Sequence, residues 1–251
     1  MHTEMRAVWG LGGIARRTLP LLLVALLTGC ATVDGPRDER DPFEGYNRAV
    51  HAFNEDFDRK LFQPLAKGYE KVTPRPVRRG VGNFFSNLGD VWVMINSFLQ
   101  GKPRDGLSDM SRVVWNTTLG LGGVFDVASH MDLPKNNEDF GQTLGVWGVG
   151  PGPYMVLPFL GPSTTRDTTG RALQWAYSPQ RELFDSETSL YLTGLNLVDQ
   201  RAQLLRTTRL IDSASLDSYS FMRDGYLQRR EYLIHDGHPP EDEFDPFADE
   251  L

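Results

Sequence analysis

Five histidines, one cysteine and a Gly-Pro-Ser-Thr-Thr stretch are the residues of this 251-residue chain from which covalent chemistry would have to be built. His51, His130, His235 and His238 are scattered over predicted helix ends and the C-terminal region, and no local motif poises one of them as the base of a nucleophile. "GPSTT", residues 161–165, is not the G-x-S-x-G elbow that exposes a catalytic serine. His235-x-x-His238 flanks Asp236 with donors a metal accepts, but it falls at a frayed helix end, and no metal is assigned to it. Gly148 to Gly152 follows a GxGxG spacing, yet no strand precedes it and prolines follow, so a dinucleotide site is not expected. The residues therefore point to no catalytic group, no cofactor and no metal.

Cys30 is the exception, because its position is chemically informative. A lone thiol cannot pair within the chain. It follows Arg16-Arg17 and the apolar run "TLPLLLVALL", which is too short to span a hydrocarbon layer of ~30 Å and has the length of a signal-peptide core. Leu27-Thr28-Gly29-Cys30 resembles the bacterial lipobox, where cleavage precedes a cysteine that receives acyl chains. Ala31 stands where an inner-membrane retention signal has Asp, and the resemblance implies outer-membrane sorting. Residues 1–29 are thus expected to be a signal peptide and 30–40, "CATVDGPRDER", an acylated tether. Losing Glu4, Arg6, Arg16 and Arg17 with the signal deepens the formal net charge from −7 to −9. Nucleic acid is excluded as a natural partner by that charge, and membrane affinity must come from acyl chains and apolar surface.

The elements that follow read as helices. Asp41-Pro42 resembles a cap with proline in the first turn, and Phe43, Tyr46, Val50, Phe53, Phe57 and Leu61 recur at helical spacing. A short helix and break over "PLAKGYEKVTPRP" precede a long helix from about Pro76 to Leu99. "RDGLSDMSRVVWNTTLG" and "GVFDVASHM" form two further helices parted by Gly120, Gly122 and Gly123, with later ones near 139–147, 166–177, 187–211 and 215–235. No segment alternates with period two, so no sheet is expected. Residues 41–236 form one helical domain, and 237–251, acidic and proline-broken, a disordered tail.

Two stretches carry more information. Over 81–99 the large apolar residues fall on an arc about 140° wide at 100° per residue. Asn83, Asn87 and Asp90 fall opposite. Four polar residues exclude a transmembrane helix. Amides in place of lysines suit a helix with one side in lipid or core and the other on a confined wet cavity; they suit equally a core helix whose amides bond to neighbouring backbone. In 145–170 four prolines interrupt regular structure while Tyr154, Leu157 and Phe159 keep the segment too apolar for a solvated loop. Such a segment is buried, inserted at a membrane interface or docked on a partner.

"DPFEGYNRAVHAFN", "FLQG", "RVVWNTTLGLGGVFDVA", "DFGQTLGVWGVGPGPYMVLPFLGPSTTRD" and "RAQLL" resemble the block pattern of the MlaA family, also called VacJ, over roughly residues 41–235. The resemblance implies an all-α, ring-shaped bundle of amphipathic helices around a central channel, lodged in the outer membrane and anchored on its periplasmic side. It implies removal of mislocalised phospholipid from the outer leaflet and transfer to a soluble periplasmic, MlaC-like carrier that feeds an inner-membrane transporter. A trimeric porin is the implied membrane partner. A lipid hydrolase and a purely structural envelope lipoprotein are the alternatives. On these grounds Asn83, Asn87 and Asp90 are expected to line the channel, and Tyr154, Leu157 and Phe159 to face membrane or partner.

The first expected outcome follows from the lipobox register. Mass spectrometry of the mature N-terminal peptide should find Cys30 as residue one, carrying two or three acyl chains, since one chain anchors only marginally. An unmodified Cys30, or cleavage elsewhere, removes the anchor from the account.

Overall fold

The computed structural model describes residues 38–214 and 217–240. Cys30, the signal segment and residues 241–251 of the expected tail lie outside the described residues. The elements in chain order are α1 (Glu44–Phe57), a π-helical segment (Asp58–Phe62), α2 (Gln63–Val72), α3 (Arg75–Leu99) and α4 (Pro103–Thr118). A 3₁₀ turn (Ala128–Met131), α5 (Phe140–Val146), β1 (Tyr154–Leu157), β2 (Gly161–Thr164), α6 (Thr165–Ala176), α7 (Pro179–Leu183), α8 (Ser186–Ala214) and α9 (Ser218–Ile234) follow. The helical expectation holds, with three corrections. "GVFDVASHM" makes only the 3₁₀ turn. The first helix begins at Glu44 without a side-chain cap, and Asp41 is instead a buried carboxylate accepting from Asn47 Nδ2 at 2.7 Å and from the Tyr219 hydroxyl. The glycine-proline block contains an antiparallel hairpin pairing Tyr154 with Thr164 and Leu157 with Gly161. Proline is tolerated there because both strands of a two-stranded ribbon are edge strands.

Asparagine holds the hairpin to α1. Asn47 Nδ2 donates to the Tyr154 carbonyl at 3.2 Å, and the Val156 N–H donates to Asn47 Oδ1 at 2.8 Å. Two turns later Asn54 repeats the pattern, donating to the Leu157 carbonyl at 3.0 Å and accepting from Phe159 N–H at 2.8 Å. A carboxamide offers a donor and an acceptor side by side, so each one substitutes for a neighbouring strand. Phe159 turns the chain at a φ of +63°, a region few non-glycine residues occupy, and the Asn54 clamp holds it there.

Followed from element to element, the packing closes on itself: α1 on β1, β1 on β2, β2 on α6, α6 on α5, α5 on α3, α3 on α8, α8 on α2, and α2 through the π-segment back to α1. Two small apolar clusters sit on this circuit, Ala66/Ala202/Leu205 and Tyr154/Val156/Tyr219. Close crossings need glycine. A Cβ on Gly170 would lie 2.6 Å from the Gly141 nitrogen where α6 meets α5. Gly123, at a φ of +96°, lets the loop after α4 lie against Asn87, whose Cβ a side chain there would meet at 2.5 Å.

Polarity runs inward. Among the described residues 7 hydrophobic side chains are buried against 18 polar or charged ones, while 34 large hydrophobics are exposed. The buried carboxylates are met by arginine or lysine or, at Asp109 and Asp199, by neutral donors. Arg230 donates to Asp139 Oδ1 at 2.9 Å and to Asp167 Oδ1 at 2.9 Å, and the Tyr226 hydroxyl donates to Asp167 Oδ2 at 2.6 Å, tying α9 to α5 and α6. Burial pushes the Asp139 carboxyl up, but the bonds and charge of Arg230 outweigh it and hold the group below the usual range. A carboxylate depressed in the folded state contributes stability above its unfolded value, near 4, and loses it as pH falls through the folded value.

Arg230→Gln is therefore expected to cost about 3 kcal/mol at neutral pH, by taking away the ion-pair partner of Asp139 and leaving buried Asp167 with Arg166 alone. Thermal unfolding read by circular dichroism should show this loss and a flatter dependence between about pH 5 and 3 than wild type, because the variant has already lost the pairing that acid would remove. An unchanged acid profile would assign the pH dependence to other carboxylates.

Candidate functional site

The first half of α3 presents two faces that each line a cavity. Arg75, Arg78, Arg79, Gly82, Asn83 and Ser86 recur at helical spacing on one side, and Val77, Val81, Phe84 and Phe85 on the adjoining side. α8 crosses both. On the polar side it contributes Asp199, Gln203 and Arg206 to a cavity of about 570 Å³. On the apolar side it contributes Leu192 and Leu195, which join Val124, Phe125 and Val127 to enclose about 970 Å³. Arg79 and Asn83 line both spaces. The two cavities thus share Arg79 and Asn83 as a common wall and form the polar and apolar sides of the α3–α8 cleft.

Several bonds set this cleft. Asn83 Nδ2 donates to the Val124 carbonyl at 3.1 Å and ties α3 to the loop. Arg78 Nη1 donates to Glu70 Oε1 at 3.1 Å across the α2–α3 break. Asp199 Oδ1 accepts from the Tyr69 hydroxyl at 2.9 Å, and burial, helped by this carboxylate, pushes the Tyr69 phenol up to about 12. Arg201 grips Asp58 of the π-segment with bonds of 2.6 and 2.7 Å, fixing α8 against the junction of α1 and α2. A small amphipathic ligand with an ionic head is what such a cleft accommodates.

A family model described as MlaA lipoprotein matches residues 39–233. The chain belongs to the MlaA lipoprotein family. The protein named intermembrane phospholipid transport system lipoprotein MlaA from Escherichia coli K12 is 38% identical over 218 residues, 84% of this chain and 86% of that one. Its namesake from Haemophilus influenzae is 33% identical over 224 residues, covering 86% and 89%. A solved structure reported as the structural basis for maintenance of bacterial outer membrane lipid asymmetry has a TM-score of 0.70 and 36% identity. It covers 79% of this chain and 100% of its own.

Within this chain the residues singled out by sequence are divided. Asn83 opens on the cleft. Asn87 and Asp90 lie in the interior, 5% and 3% exposed, rather than on an open wall. Asn87 Nδ2 donates to Thr117 Oγ1 at 2.9 Å, while Asp90 is paired to Lys135 and lies 3.8 Å from Arg112 Nε. The polar stripe of α3 faces α4, whose own Asp109, Arg112 and Asn116 are buried, and the two helices turn apolar residues outward. In the hairpin, Tyr154 is 0% exposed, because alternation along β1 points it at Tyr219 and Tyr226. Leu157 is half-buried, and Phe159 and Leu160 at the tip are 58% and 64% exposed. The Phe159 ring leans on Phe53 and Phe57 of α1, with centroids 5.3 and 4.9 Å away.

The arginines of the cleft were not singled out from the sequence, although "RPVRRG" displays three of them at one helix start. As for the histidines, His51 Nε2 lies 3.1 Å from Ser218 Oγ and 3.4 Å from Glu55 Oε1. Both partners address the same ring nitrogen, whereas a relay needs the acid on one and the nucleophile on the other. Nδ1 of His130, His235 and His238 faces a backbone carbonyl one turn or less away.

The exposed tip generates a prediction. In a Cys30→Ser chain, which cannot carry acyl chains, Phe159→Asp should lower co-flotation with phospholipid vesicles about tenfold, the scale of losing one buried aromatic contact. Its thermal midpoint should stay within a few degrees of the parent's. Unfolding without a change in flotation would make the tip part of the core.

Proposed function

We propose that this chain is an outer-membrane lipoprotein, anchored through acylated Cys30 on the periplasmic side. In this reading it takes mislocalised phospholipid from the outer leaflet through an amphipathic passage and passes it to a soluble periplasmic carrier. The observation that carries the reading is the cleft between α3 and α8, where a polar and an apolar compartment meet at Arg79 and Asn83. A diacyl phospholipid has the same division, a phosphate at the junction of head and tails. Its transfer along a protein needs both environments at once.

The exterior supports the same reading. No helix among the described residues is long and apolar enough to cross a membrane, yet Val114, Trp115, Phe125, Phe159 and Leu160 stand exposed. Apolar surface without a span suits a protein lodged in one leaflet. The outward faces of α3 and α4 are where a membrane partner such as a trimeric porin would dock, an expectation that rests on family resemblance. Transport also needs no catalytic group, in keeping with the arrangement around His51.

The test is a lipid-asymmetry assay. Cells lacking the gene should expose more phospholipid of every headgroup to an externally added phospholipase, and the wild-type gene should reverse this. Asn83→Trp, which fills the junction of the compartments, should accumulate normally and fail to restore asymmetry, while Ser218→Ala should restore it. Full activity of Asn83→Trp would mean that lipid does not pass through this cleft and would favour a structural lipoprotein. Failure of a stable Ser218→Ala protein would revive the hydrolase.

A further inference from the structure

The polar compartment holds more positive charge than the fold neutralises. Arg78 is paired with Glu70, and Asp199, 1% exposed and accepting from Tyr69 and Gln203, is the one further carboxylate of the lining. Arg75, Arg79 and Arg206 line the same cavity, and none of the three has an ion-pair partner among the described residues. The Nε–H of Arg78 is buried beside them without an acceptor. In a chain of net charge −7, unpaired guanidiniums collected from α3 and α8 around one cavity are not a general property of the surface. Like charges held together repel, and an anion between them relieves the repulsion. Guanidinium forks match the oxygens of a phosphate, and such charge-assisted bonds are about twice as strong as neutral ones.

We infer that the compartment selects anionic diacyl phospholipids, those whose headgroup adds no ammonium to the phosphate, over zwitterionic ones. The inference rests on the transport reading above and names the substrate class for it. Arg79 and Asn83, common to both compartments, meet the phosphate where head joins tails, and the tails lie among Val77, Val81, Phe84 and Leu195. Beyond the phosphate the headgroup meets Arg75 and Arg206. A glycerol or a second phosphate is accepted there, whereas the ammonium of phosphatidylethanolamine is brought against two cations and repelled. The shared chemistry is that of a phosphate anion, which a free phosphate would also satisfy, so the experiment separates lipid from ion.

Full-length acylated protein in detergent is offered equimolar phosphatidylglycerol and phosphatidylethanolamine of identical acyl chains, and retained lipid is measured by mass spectrometry. Phosphatidylglycerol should exceed phosphatidylethanolamine about tenfold, and the ratio should shrink as salt is raised. Joint replacement Arg75→Gln and Arg206→Gln should bring the ratio near one. Arg181→Gln, which removes a guanidinium stacked 3.9 Å over Trp175 outside the cleft, should leave it unchanged. Should the double variant fail to fold, Arg75→Gln alone, at an exposed position, is read in its place. Millimolar inorganic phosphate should not displace the lipid. A wild-type ratio near one, a ratio insensitive to the arginines, or displacement by inorganic phosphate overturns the selectivity. Equal retention of both lipids leaves the transport reading standing, whereas retention of neither by folded protein overturns both.

Discussion

A chain that turns its large apolar side chains outward must find partners for every ion it encloses, because an unpaired buried charge costs several kcal/mol. That constraint governs this fold. Arg230 lies between Asp139 and Asp167, Arg112 between Asp90 and Asp126, and Tyr219 on Asp41, so that elements distant in sequence are joined by directional bonds where an ordinary domain would use aliphatic packing. Buried pairs contribute little net stability compared with apolar substitutes, but each of these is satisfied only in one relative placement of its helices. Geometry is what they supply.

The open cleft between α3 and α8 is a consequence. With large apolar side chains on the outside, only two small apolar clusters lie inside among the described residues, and neither fills the space beside the first half of α3. The helix divides its labour along its length. Its later turns set Asn87, Asp90 and Asn96 into the protein, while its earlier turns set Arg75, Arg79 and Asn83 on the cleft. A single uninterrupted helix of 25 residues thereby connects the buried polar seam to the proposed path of lipid with no joint between them.

How much of this was legible in the sequence depended on range. Period and punctuation located the helices, since Gly101, Pro103 and Thr73-Pro74 break the chain locally. Asp41 looks like a cap because Asp-Pro is a local signal, whereas its carboxylate is taken by the Asn47 side chain and by Tyr219 of α9. The prolines of the block argued against strands by a rule that holds for central strands and lapses in a two-stranded ribbon. For Asn87 and Asp90 the periodicity showed which residues share a face, but what covers that face is decided by α4 and by Gly123. The arginine site needed Arg206 of α8 to stand across from the start of α3, a juxtaposition that no local pattern contains.

The two asparagine clamps on α1 have a mechanical meaning. Asn47 and Asn54 bind the hairpin at two points two helical turns apart, so helix and hairpin cannot slide or pivot against each other without breaking both. The pair behaves as one stiff beam. Near one end is Arg40, whose carbonyl accepts from Tyr154 N–H at 2.9 Å; at the other is the aromatic tip around Phe159. A displacement of one arm therefore has to carry the other with it, as in a lever.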